Sequence, residues 1–232
     1  MYYRAHGAEL VGVRHRVSSG TTFAWRAFVE RQETAEREHD FALAHLVDRR
    51  DFAPNIVATS GGYAGLRTRL AGTVGNDPRR AQVSGELVLE GATGPLRYAR
   101  TRGEARVARR LNERTLAAVV LASGTSSGRL PRQRQFFLGG PWTLHAHRVG
   151  DVMGEAFWFA RGEVGRDDEF VRTSLFYDLG WAGARQDFAR SASRSSAAGA
   201  GFSILDGLMR LDVSARLEGR PRWGLDLFLD IR

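Results

Sequence analysis

The densest set of chemistry-bearing residues lies in "RQRQFFLGGPWTLHAHRVGD", residues 132–151. His145 and His147 stand two apart and Asp151 follows, a combination of imidazole and carboxylate that suits zinc. A metal site needs three or four convergent ligands, however, and the other histidines, at 6, 15, 39 and 45, are far away in sequence. Histidines together with many serines also admit a Ser-His-Asp hydrolase, but no nucleophile-elbow motif is present. Gly139 and Gly140 precede no helical pattern, so they read as backbone that needs unusual dihedrals and not as a phosphate cradle. The sequence therefore assigns no catalytic residue, no metal and no cofactor, and the chain is not expected to be an enzyme.

The elements that must position this loop have period two. In "RWGLDLFLDIR", Trp223, Leu225, Leu227, Leu229 and Ile231 fall on one face, with Gly224, Asp226, Phe228, Asp230 and Arg232 on the other. "GLMRLDVSARL" sets Met209, Leu211, Val213, Ala215 and Leu217 against Arg210, Asp212, Ser214 and Arg216. "FVRTSLFYDLGW" sets Val171, Leu175, Tyr177, Leu179 and Trp181 against Arg172, Ser174, Phe176, Asp178 and Gly180. Further strands are expected at 8–17, 21–33, 56–74, 81–90, 96–109, 114–124, 153–164 and 197–205, ten to twelve in all, since Gly61-Gly62 could divide 56–74. Turn-like stretches such as "GNDPRR", "EGATGP" and "LEGRPR" separate some of them, and three longer connections span 34–54, 125–152 and 182–196. The first of these, around "ETAEREHDFALAHLVDRRDF", is read as a solvated loop.

Alternation suits both a soluble barrel and a membrane barrel, which differ in whether the apolar face looks inward or outward. Segments of ten or more residues match the ~9–11 needed to cross a bilayer at a tilt. Trp25, Trp158, Trp181 and Trp223 lie near strand ends, where an aromatic girdle would sit. The expected fold is thus an all-β antiparallel transmembrane β-barrel, forming one domain over residues 1–232. No apolar run is long enough for a membrane helix, and the N-terminus has no secretory-signal pattern.

Composition narrows the function further. All 34 cationic residues are arginine, and with 26 acids they give a net charge of +8, but they are dispersed along the alternating segments and form no basic block. Nucleic acid is not an expected partner. The absence of cysteine excludes disulfides, thiolate metal sites and a cysteine nucleophile. Arg161, Arg172, Arg210 and Arg216 are expected to face inward and form a network with Glu155, Glu163, Asp212 and Asp226.

The second half of the chain resembles the surface-antigen barrel superfamily, which includes BamA-type insertases, TamA-type assembly factors and two-partner-secretion transporters. Pro131, Phe136, Gly139, Gly140, Thr143 and Leu144 fit that family's long sixth loop. "GEAFWFARGEV", with Glu163, is similar to its next strand, and Phe176, Asp178 and Gly180 match its aromatic-x-Asp-x-Gly strand. The resemblance is clear over about 125–232, and its last part is similar to the family's last three strands. It implies an outer-membrane barrel fold that has sixteen strands in full, of which this chain is either the C-terminal part or a divergent small member, without the periplasmic repeat domains. It also implies a loop folded into the lumen, with a cationic tip paired to Asp178. At that tip the family has Arg-Gly-aromatic where this chain has His145-Ala146-His147, so either His145 or Arg148 must supply the charge. The implied function is insertion or transport of polypeptides at the bacterial outer membrane; the alternative is a passive pore or structural barrel. The implied partners are outer-membrane lipid and lipopolysaccharide, unfolded β-barrel or secreted polypeptides, and N-terminal strands or periplasmic domains outside the sequence.

Overall fold

A computed structural model describes residues 3–35, 56–75, 81–167, 171–190, 193–204 and 208–229. The expected loop over 34–54 lies almost wholly outside the described residues. The strands are β1 (Tyr3–Arg16), β2 (Thr21–Thr34), β3 (Gly61–Val74), β4 (Gln82–Thr93), β5 (Tyr98–Arg110) and β6 (Thr115–Gly128), then β7 (Phe136–Leu138), β8 (Val152–Gly154), β9 (Ala156–Asp167), β10 (Val171–Gly183), β11 (Ser195–Ile204), β12 (Met209–Arg216) and β13 (Trp223–Leu229). All but β7 and β8 form one eleven-stranded sheet in chain order, every neighbouring pair antiparallel. Residues 56–74 hold one strand and not two, beginning at Gly61. The short β7–β8 ribbon was not expected. It belongs to the long connection after β6, so the main sheet steps directly from β6 to β9.

One end of the sheet carries short connections, 17–20, 75–81, 111–114, 168–170 and 205–208. The other carries the long ones, 35–60, 129–155 and 184–194, together with the shorter 94–97 and 217–222. This asymmetry is that of an outer-membrane barrel.

Directly opposed residues share a face, so the register reads out which way each side chain points. Arg161 opposes Asp178, Asp178 opposes Ala197, and Ala197 opposes Arg216, which puts one inward row across β9 to β12. The alternate positions form an outward belt. Leu66, Leu89, Leu121, Leu175, Val213 and Leu225 are exposed, with Leu175 and Leu225 at 70% and 71%, while inward Asp178 and Asp212 are at 0% and 1%. Apolar outward and polar inward is the orientation of a membrane barrel. Alternation alone could not supply that orientation; the position of the loop does.

The loop also shows that the sheet is curved. Arg134 touches Glu30 on β2, and Trp142 packs on Phe228 of β13. Those strands lie nine steps apart in the sheet order, which would be about 43 Å across a flat sheet at ~4.8 Å per step. Eight residues of chain reach at most about 29 Å when fully extended, and this segment is folded, with a 3-10 turn at Arg132–Arg134 and Gly139 bonded to Thr143, so the sheet wraps around the loop. Both apolar clusters form where loop meets sheet. Phe136, Leu138 and Leu144 pack with Ala122, Phe157 and Phe159, and Leu130 packs with Phe28, Tyr63, Ala92 and Tyr98.

The aromatic girdle is only partly as expected. Trp158 and Trp223 are outward near strand starts, and Trp25 is outward but near the middle of β2. Trp181 is 4% exposed, packed edge-on against Phe188 of the following connection, and is not a girdle residue.

Candidate functional site

The loop after β6 folds inward from its start, where Leu130 packs with Phe28 and Tyr98, and its backbone is shaped for that path. Gly139 and Gly140 have φ of 118° and 81°, values unfavourable for a side chain-bearing residue. A Cβ on Gly139 would come within 2.0 Å of the Arg148 carbonyl oxygen. The pair thus takes the unusual dihedrals expected of it and serves a tight reversal, with the Gly140 amide donating to the His147 carbonyl at 2.9 Å. On the wall, Gly180 of the aromatic-x-Asp-x-Gly strand leaves space for Leu138 and Leu144; a Cβ there would lie 3.1 Å from Leu138.

His145 occupies the tip's seat. Its ring is fully buried, with Nδ1 2.7 Å from Asp178 Oδ2 and Nε2 3.3 Å from Asp212 Oδ2, and its backbone amide donates to the same Asp178 oxygen at 3.1 Å. Phe176 lies against the ring at 4.2 Å between centroids. Carboxylates at both ring nitrogens make both of them donors, the imidazolium form. Burial alone would push the His145 pKa down; the hydrogen bonds with Asp178 and Asp212 outweigh it and hold the pKa above its usual value, against opposition from Arg161.

Arg161 on β9 provides the fixed charge. Its Nε and Nη2 donate to Asp178 at 2.5 and 3.0 Å, and Nη2 also donates to the Thr143 and Pro141 carbonyls at 2.7 and 3.2 Å. The same Nη2 lies 3.0 Å from His145 Nδ1. With Nδ1 donating to Asp178, that approach is two donors crowded around one acceptor and not a hydrogen bond. Arg210 continues the chain, pairing with Asp212 at 2.8 Å and with Glu163 at 2.9 Å. Arg161, Asp178, His145, Asp212, Arg210 and Glu163 thus alternate in sign, three cations against three anions when His145 is protonated.

Of the two candidates for the tip charge, His145 fills the place and Arg148 does not. Arg148 is exposed, and its amide donates to Asp151 at 2.9 Å. His147 turns away from His145: its Nε2 meets Glu218 at 2.6 Å, and Glu218 in turn accepts from the Ser196 amide at 2.8 Å. His145, His147 and Asp151 thus have three separate sets of partners and do not converge as metal ligands would.

The expected inward arginine network is met in part: Arg210 pairs with Asp212 and Glu163, while the other members find different partners. Arg172 pairs with Asp167, Arg216 with Glu218, and Glu155 with Arg185, while Asp226 has no ion pair among the described residues. Arg172 meets the acid directly opposite it on β9, while Arg210 and Arg216 each meet an acid two positions along the chain.

A second seat was missed by sequence reasoning. Gln133 donates to Gln32 at 2.6 Å and accepts from the Thr59 amide at 2.9 Å. Arg134 pairs with Glu30 at 2.9 Å and lies 3.4 Å from Glu90, which also accepts from Tyr98 at 2.8 Å and pairs with Arg100 at 3.2 Å. Inward acids at 30 and 90 in otherwise apolar-rich strands, and a polar run just before Phe136, were the available signals. The Arg134–Glu30 contact spans 104 positions, so no local pattern could join them.

Ala146 has φ of 57°, the single positive-φ residue other than glycine among the described residues. A left-handed conformation costs an alanine about 1–2 kcal/mol, and the family pattern has glycine there. Ala146→Gly should therefore stabilise the folded state by about 1 kcal/mol, after allowance for glycine's greater freedom when unfolded. Equilibrium urea unfolding in detergent would show the raised midpoint.

An antiparallel sheet with an outward apolar belt, wrapped around an inward loop, is a transmembrane β-barrel fold. Among solved structures, the chain is similar to BamA from Haemophilus ducreyi lacking POTRA domains 1-3, with a TM-score of 0.74 and 12% identity over 97% of this chain and 53% of that one. The fold is thus that of a BamA-type barrel, and the chain spans about half the length of the chain it matches. No family model and no curated protein sequence matches it.

Proposed function

We propose that the protein is the C-terminal part of an outer-membrane barrel that assists insertion or transport of unfolded polypeptides, working without a cofactor. The observation that carries this reading is the loop tip, His145, seated against Asp178 and Arg161, which places the loop inside the curved sheet. In this reading the loop's position governs access to the interior, and a client strand adds to a free sheet edge by backbone pairing. The membrane lipids and the client chain are its partners, and the bacterial outer membrane its location.

The test is reconstitution in lipid vesicles with an unfolded outer-membrane protein as client, following the rate at which the client becomes protease-protected. The expected result is faster insertion than in empty vesicles, with the gain reduced in Asp178→Ala. A passive or structural barrel gives no acceleration, and its conductance is unchanged by the client. That outcome would remove the insertase reading.

A further inference from the structure

We infer that the outward rim of β5 and β6, at the end of the long connections, binds the phosphorylated headgroup of lipopolysaccharide, with Arg97 and Arg129 holding a phosphate monoester between them. The inference rests on the outer-membrane location proposed above and takes nothing from the insertase reading.

The first observation is a pair of cations set against each other. One step beyond the Tyr98–Gly128 pair, the Arg129 amide donates to the Arg97 carbonyl at 2.9 Å, so the two arginines stand opposite each other where β5 begins and β6 ends. Both are exposed, and neither has an ion pair or a side-chain hydrogen bond among the described residues. Like charges directly opposed are unfavourable. Other outward arginines face neutral partners: Arg14 opposes Phe23, Arg109 opposes Ala117 and Arg166 opposes Thr115. A third guanidinium adjoins the pair, since Arg185 donates to the Ser126 and Gly128 carbonyls at 3.1 and 2.9 Å; its own counter-charge is Glu155, at 3.3 Å. Glu33 is the one acid at an outward position of the described strands, and Arg31 neutralises it at 2.8 Å. Arg97 and Arg129 therefore repel each other unless an anion from outside the chain lies between them.

The second is position. The connections at this end include the long ones, so the pair sits at the outer-leaflet rim of the apolar belt. Both strands lie within the sheet and have neighbours on both sides.

The third is the space beside the pair. Arg97 and Arg129 line one hollow with Ala64, Gly91, Ala99 and Ser127. It continues toward the middle of the belt over Thr101 and Thr125, with Leu66 and Leu89 on one flank and Trp158, opposite Ser123, on the other. An acyl chain laid there keeps its headgroup at the arginines. The hollow by itself assigns nothing, because small residues can face any lipid tail; the opposed cations assign the site.

Charge then selects the lipid. A phosphate monoester carries about −1.5 to −2 near neutral pH, which matches two guanidiniums that each bond it through a planar fork. The phosphodiester of a glycerophospholipid carries a single charge. In the outer leaflet the monoester is that of a phosphorylated sugar, the lipid A anchor of lipopolysaccharide.

The full chain, refolded into phosphatidylcholine vesicles doped with lipid A, phosphate-free lipid A or phosphatidylglycerol, would be extracted in mild detergent and its retained lipid read by native mass spectrometry. Lipid A should be favoured at least about tenfold over either of the others, the scale of one charge-assisted bond. Arg97→Gln and Arg129→Gln should each remove about tenfold of that retention by the same measure, while Arg109→Gln at the opposite rim should leave it unchanged. Urea unfolding separates binding from folding. Without lipid A, Arg97→Gln should unfold no earlier than wild type, because a repulsion has been removed; with lipid A it should unfold earlier. Equal retention of the three lipids, or an equal loss in Arg109→Gln, would reduce the effect to general attraction and overturn the site. An earlier midpoint for Arg97→Gln without lipid A would make the arginine structural and overturn it as well. Lipid A retained by a chain that does not speed client insertion would uphold the site and count against the insertase reading alone.

Discussion

Asp178→Ala is expected to unseat the loop tip and to cost about 3–5 kcal/mol, the usual penalty for removing one partner of a buried ion pair. The carboxylate accepts from four donors: Arg161 Nε and Nη2, the His145 ring and the His145 amide. Its loss leaves a guanidinium and a buried imidazole without their main counter-charge. The imidazole can lose its proton; the guanidinium cannot, and keeps only the Thr143 and Pro141 carbonyls. Asp178→Asn should fall between wild type and alanine, since an amide oxygen can accept from the His145 amide but brings no charge. Two readouts separate unseating from general unfolding: urea unfolding of the whole sheet, and proteolysis within 139–151. The prediction is cleavage in the loop at urea concentrations where the sheet is still intact. Adding His145→Ala to Asp178→Ala should recover part of the loss, because it removes one of the stranded groups; strictly additive penalties would mean that the two residues do not act as a pair.

The strands were legible because burial on one face alone imposes period two, and period two survives without knowledge of partners. That is why the alternation around Leu225 and Leu211 gave both the elements and their faces. The orientation of those faces was not legible from the same signal, since apolar-in and apolar-out give identical alternation; it came from strand length and from the resemblance around Asp178. The inward position of Asp178 and its contact with the loop were therefore anticipated, as was the need for unusual dihedrals at Gly139 and Gly140; the reversal they make was not. The choice of His145 over Arg148 was not, because a shift of three residues along a loop is decided by backbone path. The Gln133–Arg134 seat was out of reach altogether. Its partners lie on β2 and β4, and the contact exists only because the sheet curves enough to bring them to the start of the loop. Trp181 misled for a related reason: its alternation is that of an outward residue, but the connection after β10 folds back over it.

The substitution at the tip predicts a pH dependence that an arginine would not have. His145 has its pKa raised in the folded state, so its contribution to stability is fully present below its unfolded value of about 6.5 and disappears as pH rises through the folded value. The charged groups around it give the physical content of that loss. Asp178 on β10 and Asp212 on β12 accept from its two ring nitrogens, Asp226 on β13 lies behind Asp212, and Arg161 on β9 and Arg210 on β12 are permanently charged. Deprotonation leaves one imidazole nitrogen as an acceptor facing a carboxylate, and three cations balancing three anions become two against three. The expected result is a loop protected from protease below the folded pKa of His145 that becomes progressively cleavable as pH rises through it, while the strands keep their far-ultraviolet spectrum. His145→Arg should hold the same seat with a charge that does not titrate in this range, and its loop protection should be flat with pH. His145→Gln, which can bond but not carry charge, should resemble the alkaline wild type at every pH. An alkaline transition of unchanged size in His145→Arg would assign the effect to another group and detach the loop's position from the titration of its tip.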